Sequence, residues 1–134
     1  MYTKILIPLD FSKVDDKIID HILGLCSYIK PKVYLLRALH LHTRDALSYE
    51  ESKTREYLNN IKQKFSDIGI EAEIIIEYGD PDEIIVTIAK KLGCDLLAFA
   101  THGHKKIMDF LLGSVVEKVR HQIGIPILLI NAGE

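Results

Sequence analysis

Short apolar runs alternate along this chain with longer segments in which the apolar residues have a helical spacing. The runs are almost continuously apolar, which is typical of strands that are covered on both faces of a parallel sheet. They predict strands at residues 4–9, 33–39, 72–78, 95–100 and 126–130.

The segments between these runs carry apolar residues at three- and four-residue steps, the spacing of one face of a helix. Gly69 and Gly93 are placed to end the second and third of these segments, because glycine readily takes the left-handed conformation that follows a helix. The pattern predicts helices at about residues 12–30, 48–67, 80–93 and 114–122.

Two of these helices have recognisable starting signals. Ser12 and Asp15 have the spacing of a capping box, in which each side chain accepts a hydrogen bond from the backbone of the other residue. The clearest start is Asp80 followed by Pro81, with Glu83 completing a reciprocal cap. We expect both helices to begin with these side-chain hydrogen bonds.

Strands that alternate with helices indicate a parallel sheet with helices on both faces. We therefore predict one α/β domain over residues 1–134, an open five-stranded parallel sheet with four helices, and we take 3-2-1-4-5 as its strand order. In open sheets of this kind, ligands bind outside the carboxyl ends of the strands, where the strand order reverses. In this order the reversal lies between the first and fourth strands.

Composition narrows the class of protein. A net charge of -2 gives no electrostatic footprint for nucleic acid, and no apolar run approaches the roughly 20 residues needed to cross a membrane. The amino terminus enters a strand at once and lacks the layout of a signal peptide. Cys26 and Cys94 lie in apolar, helix-like surroundings, and we expect buried free thiols. These features together predict a cytoplasmic protein.

Two loops after the central strands carry candidate ligand-binding residues. Asp10 follows the first strand and Gly103 follows the fourth, so both would face one crevice, where Asp10 could accept hydrogen bonds from a base or a ribose. Gly113 and Ser114 lie where the fourth helix should begin, and a helix start offers unpaired N–H groups and partial positive charge. These residues could hold phosphates, although they also suit an ordinary turn and a helix cap.

The stretch between the two glycines holds further polar residues. Lys105 and Lys106 could close over a triphosphate or form a solvated basic loop. His102 and His104 flank Gly103 in a His-x-His pattern that can present two metal ligands, but no cysteine or carboxylate pattern completes a set. We therefore expect no metal site here, and we leave open a contact between His102 and a phosphate.

The glycine spacing resembles that of a known family. Gly103 is followed by nine residues and then by Gly113-Ser114, which matches the second half of the pattern Gly, two residues, Gly, nine residues, Gly-Ser or Gly-Thr. This pattern is that of the nucleotide-binding members of the universal stress protein family, which the chain resembles over its whole length. Ala100 stands where the pattern has its first glycine. Further shared segments are residues 7–12, 79–81 and 125–128.

The resemblance implies a Rossmann-like fold of the adenine nucleotide alpha hydrolase-like kind and a site for ATP, with or without Mg²⁺. The implied ATP-binding residues are Pro8, Asp10 and Ala38 around the adenine and ribose, and Ala100, His102, Gly103, Gly113, Ser114 and Val115 toward the phosphates. The methyl group of Ala100 could push a ligand away, could strain a backbone that needs positive φ, or could be tolerated.

Catalysis has little support in the residues. No nucleophile, histidine and acid have the spacing of a catalytic set, and no paired carboxylates suggest a hydrolase. The first-strand loop, Asp10-Phe11-Ser12, lacks the histidine signature of nucleotidylyltransferases and the Ser-Gly-Gly loop of ATP pyrophosphatases. Ile130-Asn131 lacks the lysine of a response-regulator receiver. We expect no catalytic residues and, at most, slow ATP hydrolysis.

The last apolar run, which begins at Pro126 and ends at Ile130, would be an edge strand in the expected order. An apolar edge invites pairing with another chain, and the family resemblance implies a homodimer through this strand. The sequence thus predicts a nucleotide-dependent stress-response or regulatory dimer. The alternatives are a dimeric interaction module of the same fold that binds no nucleotide, and a weak ATP hydrolase.

Overall fold

A computed structural model describes residues 1–39, 44–101 and 111–131, and side chains at residues 1–39, 49–101 and 115–131. Within these ranges strands and helices alternate. The elements are β1 (Lys4–Pro8), α1 (Val14–Leu25), β2 (Lys32–Leu39), α2 (Arg44–Ser66), β3 (Ala72–Tyr78), α3 (Pro81–Leu92), β4 (Leu96–Thr101), α4 (Leu111–Arg120) and β5 (Ile127–Asn131). These strands form one parallel sheet in the order β3-β2-β1-β4-β5, which confirms the predicted class and order.

The sheet separates two layers of buried side chains, which explains why the strand sequences are almost continuously apolar. The first core cluster lies on the side of α1 and α2 and includes Ile5, Ile7, Ile18, Ile22, Leu35, Phe65, Ala98 and Ala100. The second core cluster lies on the side of α3 and α4 and includes Leu6, Leu36, Ile85, Ile88, Leu97, Phe99, Val116 and Val119. Successive residues of a strand therefore belong to opposite layers.

Helix ends follow the sequence signals in part. Gly93 ends α3 with a φ of 68°, and Gly69 follows α2 with a φ of 78°, as predicted for left-handed helix stops. Pro81 is the first residue of α3, also as predicted. The reciprocal cap is wrong, because Asp80 makes no side-chain hydrogen bond to the helix start. The fixed φ of proline is therefore the signal that holds at this start.

Three helix boundaries differ from the predicted ones. α1 ends at Leu25, one residue after Gly24, which disfavours further helix; the chain then forms turns, with Tyr28 donating its backbone N–H to the Leu25 carbonyl at 3.0 Å. α2 begins at Arg44, four residues before the predicted start at residue 48. α4 begins at Leu111, ahead of the predicted start at Ser114.

Cys26 and Cys94 are both buried and free, as predicted. No helix among the described residues is long and apolar enough to cross a membrane.

Candidate functional site

A crevice opens at the carboxyl ends of the central strands. β1 pairs with β2 from Lys4 to Pro8, whereas its pairing with β4 covers only Ile5 and Leu6 among the described residues. Both strands continue past that point, so they separate where the strand order reverses. A small cavity lies at this end of the sheet and is lined by Pro8, Leu9, Asp10, Leu36, Arg37, Ala38, Pro81 and Ile85.

Three of the predicted site residues meet in this cavity. Pro8 is the last residue of β1, where its missing N–H disturbs no further pairing, and its partner on β2 is Leu36. Asp10 follows on the next turn, and Ala38 is buried near the end of β2. The predicted adenine and ribose side of the site is therefore a single place in the fold.

Five lining residues were missed by sequence reasoning, and one of them, Leu9, lies between the predicted Pro8 and Asp10. Leu36 and Arg37 precede Ala38 on β2, and Pro81 and Ile85 come from the first turns of α3, which reaches over the strand ends. Arg37 carried a readable signal, because it is a charge inside the apolar run that forms β2. The contribution of α3 had no local signal, since it depends on how that helix packs across the sheet.

The turn that carries Asp10 has an unusual backbone. Asp10 accepts a hydrogen bond from the backbone N–H of Ser12 at 3.0 Å through its Oδ1 atom. Phe11, between them, has a φ of 69° and is the one non-glycine residue with positive φ in the described part of the chain. A bulky side chain in this conformation costs about 1–2 kcal/mol, so neighbouring groups must hold the turn in place.

The carboxylate of Asp15 holds this turn from below. Asp15 is 1% exposed and accepts hydrogen bonds from the backbone N–H groups of Asp10, at 3.3 Å, and Phe11, at 2.9 Å. The hydroxyl of Tyr57 on α2 donates a third hydrogen bond to Asp15 at 2.8 Å. The pKa of Asp15 is raised to about 7, chiefly by burial and also by the nearby Asp10 charge, against the hydrogen bond from Tyr57.

These contacts correct the predicted capping box at the start of α1. The Asp15 carboxylate accepts hydrogen bonds from the backbone amides of Asp10 and Phe11, and not from the amide of Ser12 as a capping box requires. The buried hydroxyl of Ser12 has no hydrogen-bond partner among the described residues. The left-handed residue at Phe11 turns the two amides toward the helix, so that the acidic side chain reaches further back than in a capping box.

Aromatic and cationic groups pack on the same turn. The rings of Phe11 and Tyr57 lie 4.3 Å apart between centroids, and the Arg37 guanidinium lies 5.0 Å from the centre of the Phe11 ring. Burial lowers the pKa of Arg37, although the charges of Asp10, Glu50 and Asp15 raise it. Arg37 remains a cation, since an arginine is not deprotonated in proteins, and it faces a mainly acidic group of side chains.

Ala100 takes an ordinary strand conformation. It lies within β4, pairs with Ile130 on β5 and has no positive φ. This finding removes one of the three alternatives, because its backbone does not require glycine. The side chain is 2% exposed and packs in the first core cluster, and it is not among the residues that line the cavity.

The remaining predicted residues are partly described. Gly113 and Ser114 lie in the first turn of α4, whose N–H groups have no partner within the helix. Val115 is buried in the second core cluster, so that its backbone rather than its side chain is the group that could meet a phosphate. His102 and Gly103, like Lys105 and Lys106, lie outside the described residues.

Comparisons of the sequence with known proteins identify a family and several relatives. Residues 1–131 match the model of the universal stress protein family. Universal stress protein MJ0577 of Methanocaldococcus jannaschii is 30% identical, over 98% of this chain and 96% of that protein. Universal stress protein YxiE of Bacillus subtilis is 25% identical, over 98% of this chain and all of the relative.

Solved structures give the same picture. The structure of MJ0577 superposes with a TM-score of 0.81, covering 100% of this chain and 99% of that one. A universal stress protein in complex with cAMP superposes with a TM-score of 0.75 at 19% identity, covering 97% of each chain. The universal stress protein from Archaeoglobus fulgidus in complex with dAMP gives 0.75 at 18% identity, covering 97% of this chain and 98% of that one.

Proposed function

The chain belongs to the universal stress protein family, and from this premise we propose that it binds ATP, or a related adenine nucleotide, in the crevice at the carboxyl ends of β1 and β4. The observation that carries the proposal is the cavity in which Pro8, Asp10 and Ala38 meet. These are the residues to which the family resemblance assigns the adenine and ribose.

The chemistry of the cavity suits the base and the sugar. Leu36, Ala38 and Ile85 give it apolar walls, which favour a flat aromatic base over water. Asp10 is half-buried at its edge, where a carboxylate can accept hydrogen bonds from ribose hydroxyls. An apolar slot with one well-placed carboxylate is a typical arrangement for a nucleoside.

The phosphates would lie at the first turn of α4. Gly113 lets an anion approach the backbone closely, and the unpaired N–H groups of the helix start carry partial positive charge. Because α4 begins at Leu111, both Gly113 and Ser114 belong to the turn that carries these unpaired groups. The backbone N–H of Gly113, the third residue of α4, is therefore one of the unpaired groups that a phosphate could meet.

Two structural neighbours were solved with adenine nucleotides, one with cAMP and one with dAMP. Both ligands combine an adenine, a sugar and one phosphate group, which is the chemistry proposed for this cavity. These two structures support adenine nucleotides as the class of ligand. The choice of ATP rests on the spacing from Gly103 to Gly113-Ser114, and the involvement of Mg²⁺ is a matter for measurement.

We further propose that the chain acts as a regulatory homodimer through β5. This strand is an edge of the sheet, and its Leu129 side chain is 49% exposed. Pairing with the same strand of a second copy would cover the edge and the apolar side chain together. Light scattering at micromolar concentration should give the mass of a dimer, and Leu129→Lys should shift it toward a monomer. A monomeric wild type would refute the dimer.

A second candidate is an interaction module that binds no nucleotide. Ala100 favours it, because it stands where the nucleotide-binding members of the family have glycine. A weak ATP hydrolase has no comparable observation in its favour. Binding separates the first two candidates, and ATP turnover above that of a Gly113 variant would indicate the third.

The test is calorimetric titration of ATP, with and without Mg²⁺, with AMP and GTP for comparison. We expect binding of ATP in the micromolar range that is lost in Gly113→Val. Gly24→Val is the matched control, since Gly24 lies in a helix with open space around its Cα and away from the crevice. Absence of binding at millimolar ATP would overturn the proposed function and favour the interaction module.

A further inference from the structure

Asp15 is a buried carboxylate for which the proposed function has no use. It does not line the cavity, yet it accepts hydrogen bonds from the amides of Asp10 and Phe11 and from the Tyr57 hydroxyl. Taking an isolated carboxylate out of water is costly, so its burial requires compensation by hydrogen bonds or by function. All three donors are supplied by, or packed against, the turn that presents Asp10.

That turn would not keep its shape unaided. Phe11 is left-handed at a φ of 69°, a conformation that a phenylalanine leaves readily in an unconstrained chain. In this conformation the amides of Asp10 and Phe11 point toward a common acceptor, and the Asp15 carboxylate occupies that position. Release of the carboxylate would let Phe11 relax, which would rotate the neighbouring Asp10 out of the crevice.

Helix α2 fixes the acceptor in turn. Tyr57 donates to the same Oδ2 atom of Asp15 that accepts from Phe11, at 2.8 and 2.9 Å, and its ring packs on the Phe11 ring. The Arg37 guanidinium lies over that ring from β2. The turn is therefore held by groups from α1, α2 and β2, while its Asp10 carboxylate remains at the cavity.

We propose that Asp15 and Tyr57 are positioning residues of the nucleotide site, which hold the 10–12 turn so that the Asp10 carboxylate faces the ribose. This inference rests on the proposed function, because it assigns the ribose contact to Asp10. It predicts that nucleotide affinity depends on two residues, Asp15 and Tyr57, that neither line the cavity nor belong to the glycine pattern.

The ionised form of Asp15 is the form that accepts all three hydrogen bonds. A proton on one oxygen would replace an acceptor by a donor and would release an amide of the turn. The charged and titratable groups that face it are Asp10, Arg37 and Tyr57, and Glu50 faces Arg37 in turn. Because burial places the pKa of Asp15 at about 7, affinity should fall as the pH is lowered through neutrality.

The experiment is calorimetry with ATP at about pH 8 and about pH 6 on four proteins: wild type, Asp15→Asn, Tyr57→Phe and Asp16→Asn. We expect Asp15→Asn to weaken binding about tenfold at the higher pH, and Tyr57→Phe, which keeps the ring, to weaken it about threefold. Asp16 is the exposed neighbour on the same helix, so Asp16→Asn should match wild type. The ratio of wild-type to Asp15→Asn affinity should shrink at the lower pH, a comparison that cancels the titration of ATP itself.

A second readout separates this inference from the proposed function. Hydrogen exchange of the Asp10 and Phe11 amides should be faster in Asp15→Asn and in Tyr57→Phe than in wild type and Asp16→Asn. Binding by wild type with unchanged affinity in both variants would overturn the positioning role and leave the proposed function intact. If wild type binds no nucleotide, the proposed function fails, and the exchange rates alone decide whether Asp15 and Tyr57 hold the turn.

Discussion

The crevice is bordered by both faces of the sheet, and the side chains buried on the two faces differ in polarity. On the side of α3 and α4, the buried side chains near the strand ends are apolar, among them Leu36, Ile85 and Phe99. On the side of α1 and α2, the buried polar residues are Asp15, which accepts a hydrogen bond from Tyr57, and Thr54 on α2. The difference indicates a division of work, in which the apolar side supplies space and stability and the polar side supplies orientation.

The alternation of side chains along β2 produces this difference. Leu36 belongs to the apolar second core cluster, whereas Arg37, the next residue, contacts the Phe11 ring above α1 and α2. A single strand end thus serves as a wall on one face and as part of a polar support on the other. Substitutions on the two faces should therefore affect different quantities, and the following experiments test that separation.

The largest effect is expected on the apolar side. Ile85→Ala removes a side chain that is fully buried and lines the cavity, and it should lower the free energy of unfolding by about 2–5 kcal/mol. Ile85→Val is the matched control and should cost about 1 kcal/mol. Urea denaturation measures both. A loss in Ile85→Ala no greater than that in Ile85→Val would mean that this wall is not a stability element.

The apolar side is also the part of the molecule that sequence reasoning predicted well. Burial of whole strands makes their sequences apolar throughout, and proline and glycine mark helix ends through their own backbone preferences, as at Pro81 and Gly93. These signals are local, so the elements and their order along the chain could be predicted. The order of the strands within the sheet depends on contacts between distant segments, and the alternation of strands and helices fits more than one parallel order. The meeting of Pro8, Asp10 and Ala38 was implied by the family resemblance, and the structure brings all three to one end of the sheet.

The polar support could not be predicted in the same way. Asp15 was assigned to a capping box because its local spacing fits one, but the left-handed Phe11 redirects the amides that it accepts from. Its third donor, Tyr57, is 42 residues away in sequence. The cavity contribution of Ile85 likewise depends on packing between distant elements. Contacts of this kind have no signal in periodicity or spacing.

The next effect in size concerns the pH dependence of stability on the polar side. Burial raises the pKa of Asp15 from 3.8 in the unfolded chain to about 7, so the folded state binds its proton more tightly. Stability from this group is therefore present at low pH and is lost as the pH rises from about 4 to about 7. At 1.36 kcal/mol per pKa unit, the shift from 3.8 to about 7 corresponds to a loss of roughly 4 kcal/mol.

Asp15→Asn isolates this contribution, because it removes the titration and keeps the size of the side chain. The difference in unfolding free energy between wild type and Asp15→Asn should change across that pH range, in favour of the variant at high pH. Urea denaturation at a series of pH values measures it, with Asp16→Asn as the control that should follow wild type. A difference that stays constant across this pH range would show that folding does not raise the pKa of the Asp15 carboxyl group.

A smaller effect distinguishes the core from the crevice at Ala100. Ala100→Gly should lower the free energy of unfolding by about 1–2 kcal/mol, because it removes a buried methyl group and loosens a strand. It should leave ATP affinity unchanged, since the methyl group packs in the first core cluster. Ala98→Gly, on the same strand and in the same cluster, is the matched control. An affinity gain in Ala100→Gly alone would show that the methyl group obstructs the ligand.

The smallest expected effect tests whether the polar side carries an avoidable cost. Thr54 on α2 is fully buried, and its hydroxyl has no hydrogen-bond partner in the described part of the chain. Valine has nearly the same shape without the hydroxyl, so Thr54→Val should raise the free energy of unfolding by about 0.5–1 kcal/mol. Thr54→Ser, which keeps the hydroxyl and loses a methyl group, should lower it by about 1 kcal/mol.

If Thr54→Val were destabilising, the hydroxyl would have to be paired, by water or otherwise, and the polar support around Asp15 would extend along α2 to Thr54. A stabilised Thr54→Val with unchanged ATP affinity would confine that support to Asp15, Tyr57 and the turn that they hold.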